Sequence, residues 1–219
     1  MTQAAQRLRD EIPPAPNARI HPTAIVERDV RIGRGSSVWD NVHIRHDTTI
    51  GEDCIIGEKT YVAYGVTIAD RCKINAMVYI CTGVTLETGV MISAGTVFTN
   101  DRFPRATTPD LLALRSSDPD ETTLPTRVRE GATIGANATI GSGIIIGRWA
   151  MVGMGSIVTR TIPDFHLVIG QPARTIGFVC RCGQLLSRVH GNRRFNARLT
   201  CVQCERRYEV ADSVVIELP

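Results

Sequence analysis

Every sixth residue from Ile20 onward is apolar: Ile20, Val26, Ile32, Val38, Ile44, Ile50, Ile56, Val62, Ile68, Ile74, Ile80, Leu86, Ile92 and Phe98. The same phase resumes at Val128 and continues through Ile134, Ile140, Ile146, Val152 and Val158. Four positions after each of these guide residues the side chain is usually small or β-branched, as at Ala24, Val30, Ser36, Val42, Thr48, Cys54, Thr60, Val66 and Cys72. Gly often follows the guide, at Gly33, Gly51, Gly57, Gly135, Gly141, Gly147 and Gly153. A period of six is neither the 3.6 of a helix nor the 2 of a long strand. It predicts a short strand and a bend, repeated, with the guide and the small residue inward and Gly easing the turn. A β-sandwich would not hold one phase for so long.

Three segments leave the repeat. Residues 1–19 are polar, with Pro13, Pro14 and Pro16, and are expected to form a short helix or arm leading into an extended linker. Residues 101–127 break the pattern with Asp-Pro, Thr-Pro and Leu-Pro steps and the run Leu111-Leu112-Ala113-Leu114. So long an excursion is functional or disordered. The functional reading is preferred, because a regular scaffold has few other ways to build a pocket. From Pro163 the hexads end. This divides the chain into an arm (1–19), a repeat domain (20–162, with its loop at 101–127), a connector (163–179) and a tail (180–219).

Composition narrows the classes. The charge of +3 over 219 residues does not imply nucleic acid. No apolar run is long enough to span a bilayer, and Met1 to Glu11 has no signal-peptide core. The expectation is a soluble, cytoplasmic protein with neither nucleic-acid nor membrane partners. There, clustered cysteines suggest metal before disulfides. Cys180 and Cys182 form one close pair, Cys201 and Cys204 another, and four thiolates suit a closed, structural tetrahedral zinc site. Phe195, Leu199, Tyr208 and Val210 would supply short strands around it. The arginines of this tail, Arg188, Arg193, Arg194, Arg198, Arg206 and Arg207, read as solvated surface or as contacts to a cosubstrate phosphate.

The repeat resembles the hexapeptide-repeat family, in which three hexads make one triangular coil of eighteen residues. The resemblance implies an all-β fold: a left-handed parallel β-helix of six to seven coils, with an inserted loop and a small zinc-ribbon-like tail. Rungs would lie about 4.8 Å apart. Residues eighteen apart then stack, which puts His46, Tyr64, Thr82 and Asn100 on one edge, with roughly 14 Å between the first and the last. The edge reads either as a groove for an extended polar ligand, with Tyr64 stacking on a base, or as an ordinary solvent-facing corner. Cys54 and Cys72, also eighteen apart, would stack as small core hydrophobes.

More specific are Val97-Phe98-Thr99-Asn100-Asp101-Arg102-Phe103-Pro104-Arg105, His21-Pro22-Thr23-Ala24, Val38-Trp39, Val42-His43-Ile44, Gly131-Ala132-Thr133-Ile134-Gly135-Ala136-Asn137 and Gly170-Gln171-Pro172-Ala173-Arg174. Across roughly residues 20–183 these resemble the 3-amino-sugar N-acetyltransferases that act on UDP- or dTDP-linked sugars. That branch supplies precursors for cell-surface polysaccharides and glycoconjugates. The resemblance implies an acetyl-CoA cosubstrate, a homotrimer with sites between subunits, and Asn100 holding the sugar amine near the thioester. The chain departs from the UDP-aminouronate members at Asn75-Ala76-Met77 and at Asp40, which bears on the sugar and not on the chemistry.

Amide formation from a thioester needs a neutral, oriented amine, and a carboxamide can accept its hydrogen bond. Asn100 is the candidate. His46 is the candidate for proton transfer, although it is distant within one chain unless a neighbouring subunit changes the geometry. His43 reads as structural or substrate-binding, and His166 as structural. Tyr64 and Thr82 are substrate candidates. Arg102 and Arg105 are expected at the nucleotide diphosphate, and Ala136, Arg160 and Arg174 at CoA, with surface charge as the plain alternative for the last two. A sugar O-acetyltransferase is the nearest competing function and would place a His base at the acyl site. A lyase resembling γ-type carbonic anhydrase needs three clustered histidines, which the later coils lack. A non-catalytic zinc or scaffold protein would have no use for the Phe-Thr-Asn segment.

Overall fold

The computed structural model describes residues 16–189 and 196–219. The expectations placed on Pro13, Pro14, Arg193, Arg194 and Phe195 lie outside the described residues.

The described residues are all β-structure and turns, with no helix among them. Two-residue strands stack in parallel into three sheets, one for each face of a triangular coil. The first face runs Arg19–Ile20, Ser37–Val38, Ile55–Ile56, Lys73–Ile74, Met91–Ile92, Thr133–Ile134 and Met151–Val152. The second begins at Ile25–Val26 and ends at Ile157–Val158; the third begins at Arg31–Ile32 and ends at Ile145–Ile146. In each strand the last residue is the guide, Leu86 and Val128 closing the two three-residue strands Val84–Leu86 and Thr126–Val128. Ile44, Ile56, Ile74, Ile80 and Ile92 are completely buried, and the core is continuous from Ala24 to Val168. Burying one such side chain is worth about 1.5–3 kcal/mol. The coil therefore draws its stability from a ladder of contacts between neighbouring rungs.

Two expectations about the repeat are corrected. The glycines after the guide do not supply the turn's unusual backbone. The left-handed residue comes two positions later, at Gly35, Gly65, Gly89 and Gly95, and equally at Asp47, Asp53, Lys59 and Met77. What Gly57 supplies is room: a Cβ there would lie 2.6 Å from the carbonyl carbon of Asn75 on the next coil. Nor are Cys54 and Cys72 mere hydrophobes. Their thiols donate to the carbonyls of Ala69 and Glu87, each at 3.1 Å. Ser36, Thr48 and Thr60 donate in the same way to Gly51, Ala63 and Asn75. The small inward position thus satisfies a corner carbonyl of the next coil, which would be costly to bury unpaired.

The loop leaves after Phe98 and returns at Thr126–Val128. Thr85 pairs with Thr67 eighteen positions earlier but with Arg127 forty-two later. The 24 extra positions are four hexads, so the guide phase survives an excursion that leaves the coil. Within the loop, bridges join Asp101 to Thr123 and Thr107 to Leu114. The tip exposes Leu111, Leu112 and Leu114.

Past Pro163 the coil makes one more partial rung, with Leu167 and Val168 pairing on Met151 and Val152. His166–Gly170 then turns back into Ala173–Val179, which pairs antiparallel with Leu185–Arg188. A separate antiparallel sheet follows: Ala197–Thr200, Arg207–Ala211 and Val214–Glu217. Its core of Phe165, Phe178, Cys180, Cys201, Tyr208, Val210 and Val215 abuts the coil at Trp149.

Candidate active site

The register brings His46, Tyr64, Thr82 and Asn100 onto successive rungs of the edge after the second face. The rings of His46 and Tyr64 stack 5.2 Å apart and 6° from parallel. Thr82 turns its hydroxyl to the Tyr64 carbonyl at 3.2 Å. Asn100 donates from Nδ2 to the Thr82 carbonyl at 3.2 Å. A carbonyl can only accept, so this bond fixes which way the carboxamide points. Among the described residues Oδ1 has no protein partner, and it is left as a free acceptor.

Tyr64 and Asn100 line a small open cleft whose other wall is the loop. The wall includes Asp101, Arg105, Arg115, Asp118 and Asp120. Arg105 is one of the residues that line the cleft. Arg102 does not reach the cleft; its guanidinium sits over the ring of Phe103, 5.3 Å from the centroid. Arg115, which sequence reasoning missed, does line the cleft, braced by the Phe103 carbonyl at 3.2 Å and by Asp120 at 3.4 Å. No local motif marked it, since it comes into play only when the loop folds back. Among the carboxylates, Asp120 is held by Thr122 and Arg115, and Asp118 by Ser116. Asp101 has no side-chain partner among the described residues.

The histidines divide by environment. His46 Nδ1 meets the Asp47 carboxylate at 2.6 Å, and the ring lies three rungs below Asn100. His43 Nε2 meets Glu27 at 2.8 Å and stands edge-on to Tyr61. Burial alone would raise the Glu27 carboxyl, but hydrogen bonds from His43, Arg45 and the His46 backbone outweigh it and hold the group below its usual range. His166 is buried between Thr175 (3.0 Å) and the Ser213 carbonyl (2.9 Å), and that burial depresses its pKa.

The residues expected at CoA do not converge in one chain. Arg160 stands on the Asn100 edge, two rungs further along, because Phe98 pairs with Ile140 and Ile140 with Val158. Ala136 lies on a different edge, the one after the first face. There Ala76, Ala94 and Ala136 stack on successive rungs. Lower on the same edge an open groove is lined by Trp39, Gly57, Glu58, Asn75, Ala76 and Ala94. Arg174 is exposed next to the hairpin turn, near the top of that edge, where Gln171 Nε2 donates to the Gly155 carbonyl.

Comparison with known proteins follows the same lines. The family description "bacterial transferase hexapeptide (six repeats)" matches residues 29–64 and 125–160. The two matched segments lie on either side of the loop and include the guides Ile32 to Val62 and Val128 to Val158. A dTDP-3-amino-3,6-dideoxy-alpha-D-galactopyranose 3-N-acetyltransferase of Aneurinibacillus thermoaerophilus is 40% identical over 93 residues. That stretch spans 42% of this chain and 45% of the relative, so the chain matches under half of that protein's length. Among solved structures, a UDP-N-acetylglucosamine acyltransferase of Francisella novicida shares the fold with a TM-score of 0.54 at 13% identity, over 74% of this chain and 67% of its own. The N-acyltransferase AntD of Bacillus cereus, solved with dTDP and coenzyme A, aligns with a TM-score of 0.45 at 22% identity, over 75% and 80% of the two chains.

Proposed function

We propose that this hexapeptide-repeat protein is an acetyl-CoA-dependent N-acetyltransferase acting on the amino group of a UDP- or dTDP-linked sugar. The observation that carries the reading is Asn100. Its carboxamide is anchored through nitrogen, and its oxygen is free at a cleft lined by Tyr64 and two loop arginines. A free amide oxygen can accept a hydrogen bond from a neutral amine and aim its lone pair. The 40% identity to a dTDP-amino-sugar N-acetyltransferase supports the same class of acceptor. Tyr64 offers a flat face to a base. Arg105 and Arg115 answer the diphosphate with planar donors.

In the reaction the amine nitrogen bonds to the thioester carbon, the C–S bond breaks, and CoA leaves as the thiol. One proton leaves the arriving ammonium before attack. The second passes from nitrogen to the departing sulfur. Asp101, beside Asn100 and unpaired, faces the positive charge that develops on nitrogen during addition.

The acceptor edge and the small-residue edge are different edges of one prism. The reading therefore includes a closed homotrimer, in which the Ala76–Ala94–Ala136 edge of one copy meets the Asn100 edge of the next. Such a heterologous contact closes under threefold rotation. The exposed leucines of the loop tip are suited to burial against the neighbouring copy. Light scattering should give three chains per particle, and a monomer at micromolar concentration would overturn the shared site. Zinc belongs to the same proposal, held by Cys180, Cys182, Cys201 and Cys204, and the site of action is expected to be the cytoplasm.

The test is Asn100→Ala, assayed by thiol release from acetyl-CoA across a panel of UDP- and dTDP-amino sugars. Transfer should fall by roughly 10²-fold with the fold and assembly intact, because orientation is what the carboxamide supplies. The shape of the pH profile should persist, since no titrating group is lost. A folded, trimeric, fully active Asn100→Ala protein would overturn the assignment.

A further inference from the structure

The four C-terminal cysteines place their Sγ atoms within 4.8 Å of one another. Cys180 and Cys204 are 3.4 Å apart, and Cys182 and Cys201 3.5 Å. Zinc held by four sulfurs at about 2.3 Å spaces them about 3.8 Å apart, so the donor set fits. Each pair sits on a tight turn. Gly183 N donates to the Cys180 carbonyl and Cys180 N to Gln184, both at 2.8 Å. Glu205 N donates to the Cys201 carbonyl and Cys201 N to Arg206, both at 2.9 Å. Gly183 and Glu205 are left-handed, which bends each turn around the point its sulfurs face.

The sequence alone marks this cluster as a tail beyond the repeats. The structure ties it to the coil from two sides. The first turn joins Leu185–Arg188 to Ala173–Val179, whose other edge is paired to His166–Gly170, the last rung of the coil. The second turn belongs to the separate sheet, which meets the end of the coil and the first turn. His166 Nε2 meets the Ser213 carbonyl at 2.9 Å. The Tyr208 ring packs edge-on against Phe165, 5.4 Å between centroids. The Tyr208 hydroxyl accepts from Arg181 N at 3.2 Å and lies 3.1 Å from Cys180 Sγ. Arg181, between the first two cysteines, lies over Trp149 at 4.4 Å. A metal at the four sulfurs therefore joins the strand that covers the end of the coil to the sheet that packs beside it.

We propose that the cysteine cluster is a zinc clamp that closes the C-terminal end of the coil and holds the hairpin carrying Gln171 and Arg174 against the Met151–Val152 rung. An open solenoid end leaves an unpaired strand edge and needs a cap. Here the seven buried residues of the second core are few for a self-sufficient unit, and small domains of that kind are commonly stapled by metal. The consequence for acetyl-CoA rests on the proposed function; the structural clamp does not.

The test uses the full chain purified without added metal. Metal analysis should give one zinc per chain. Less than about half an equivalent, with four freely titratable thiols, would overturn the site. Hydrogen exchange is then compared before and after removal of zinc by a strong chelator, and again after zinc is restored. Amides of residues 165–179 should exchange at least 10-fold faster without metal, while those of residues 37–100 stay unchanged. Unchanged exchange at 165–179 in metal-free protein would overturn the clamp. Cys182→Ser is the variant of choice, because Cys182 is the exposed member of the four. It should reproduce the chelated pattern and raise KM for acetyl-CoA several-fold, with a smaller change in kcat. If the exchange pattern appears but zinc-loaded protein acetylates no amino sugar, the clamp stands and the proposed function fails.

Discussion

The coil and the C-terminal module are both β-structure, yet they hold together in opposite ways. In the coil nearly every short strand contributes one buried apolar guide, and the ladder of core contacts runs from Ala24 to Val168. Removing any one rung's contribution affects its neighbours and little else. The module has no such ladder. It buries a few aromatics and two of its four cysteines, and it shares Phe165 with the coil. The difference shows how a repeat can multiply small local gains, whereas a short unique segment must borrow a surface and a cross-link.

The strongest way to probe this contrast is to cut a hole in the ladder. Ile80→Ala should destabilise the coil by about 2–5 kcal/mol in denaturant unfolding, the range for large-to-small changes in packed cores. Exchange in residues 197–217 should not change. If the module loosened as much as the coil, the two would be one cooperative unit and the comparison would fail.

A smaller effect is expected from Thr60→Val. It keeps the volume but strands the Asn75 carbonyl that the Thr60 hydroxyl satisfies at 3.0 Å. A loss of about 1–2 kcal/mol is the usual size for one such buried acceptor. A neutral result would mean that the inward hydroxyls and thiols serve only as small fillers.

The mildest probe is acid. His166 is buried at the junction and its pKa lies below 6.5 in the folded protein. Between that depressed value and 6.5 the unfolded chain binds the proton more readily, so docking should weaken as pH falls below about 6.5 and be unaffected above it. Trp149 fluorescence in a Trp39→Phe background would follow the junction, with nearby Asp164 partly offsetting the effect. A flat signal between pH 7.5 and 5 would show that neutral His166 is not part of what docks the module.

Much of this architecture was legible because one rule is repeated. The guide positions, the stacked edge from His46 to Asn100 and the pairing of four thiols all follow from spacing. What was hidden depends on contacts that spacing does not encode. A loop four hexads long leaves the phase unmarked, so Arg160 gave no sign of sharing an edge with Asn100. Arg115 joins the cleft only because the loop folds back onto the Tyr64 rung. The glycine after the guide suggested torsional freedom, but at Gly57 the need is clearance from the next coil. The sequence marks His166 as structural and says nothing of Trp149, and neither reading reveals that the module packs on both.

The loop's length carries a consequence of its own. Because it leaves and rejoins the coil in step, with Leu124 N bonded to the Asn100 carbonyl and Thr126 N to Gly83, its ends meet on adjacent rungs. Residues between those ends can be lengthened, shortened or exchanged without retiming a single strand above or below. On the proposed function, acceptor preference and scaffold integrity are then inherited separately: relatives sharing every rung would still differ in the sugar they accept.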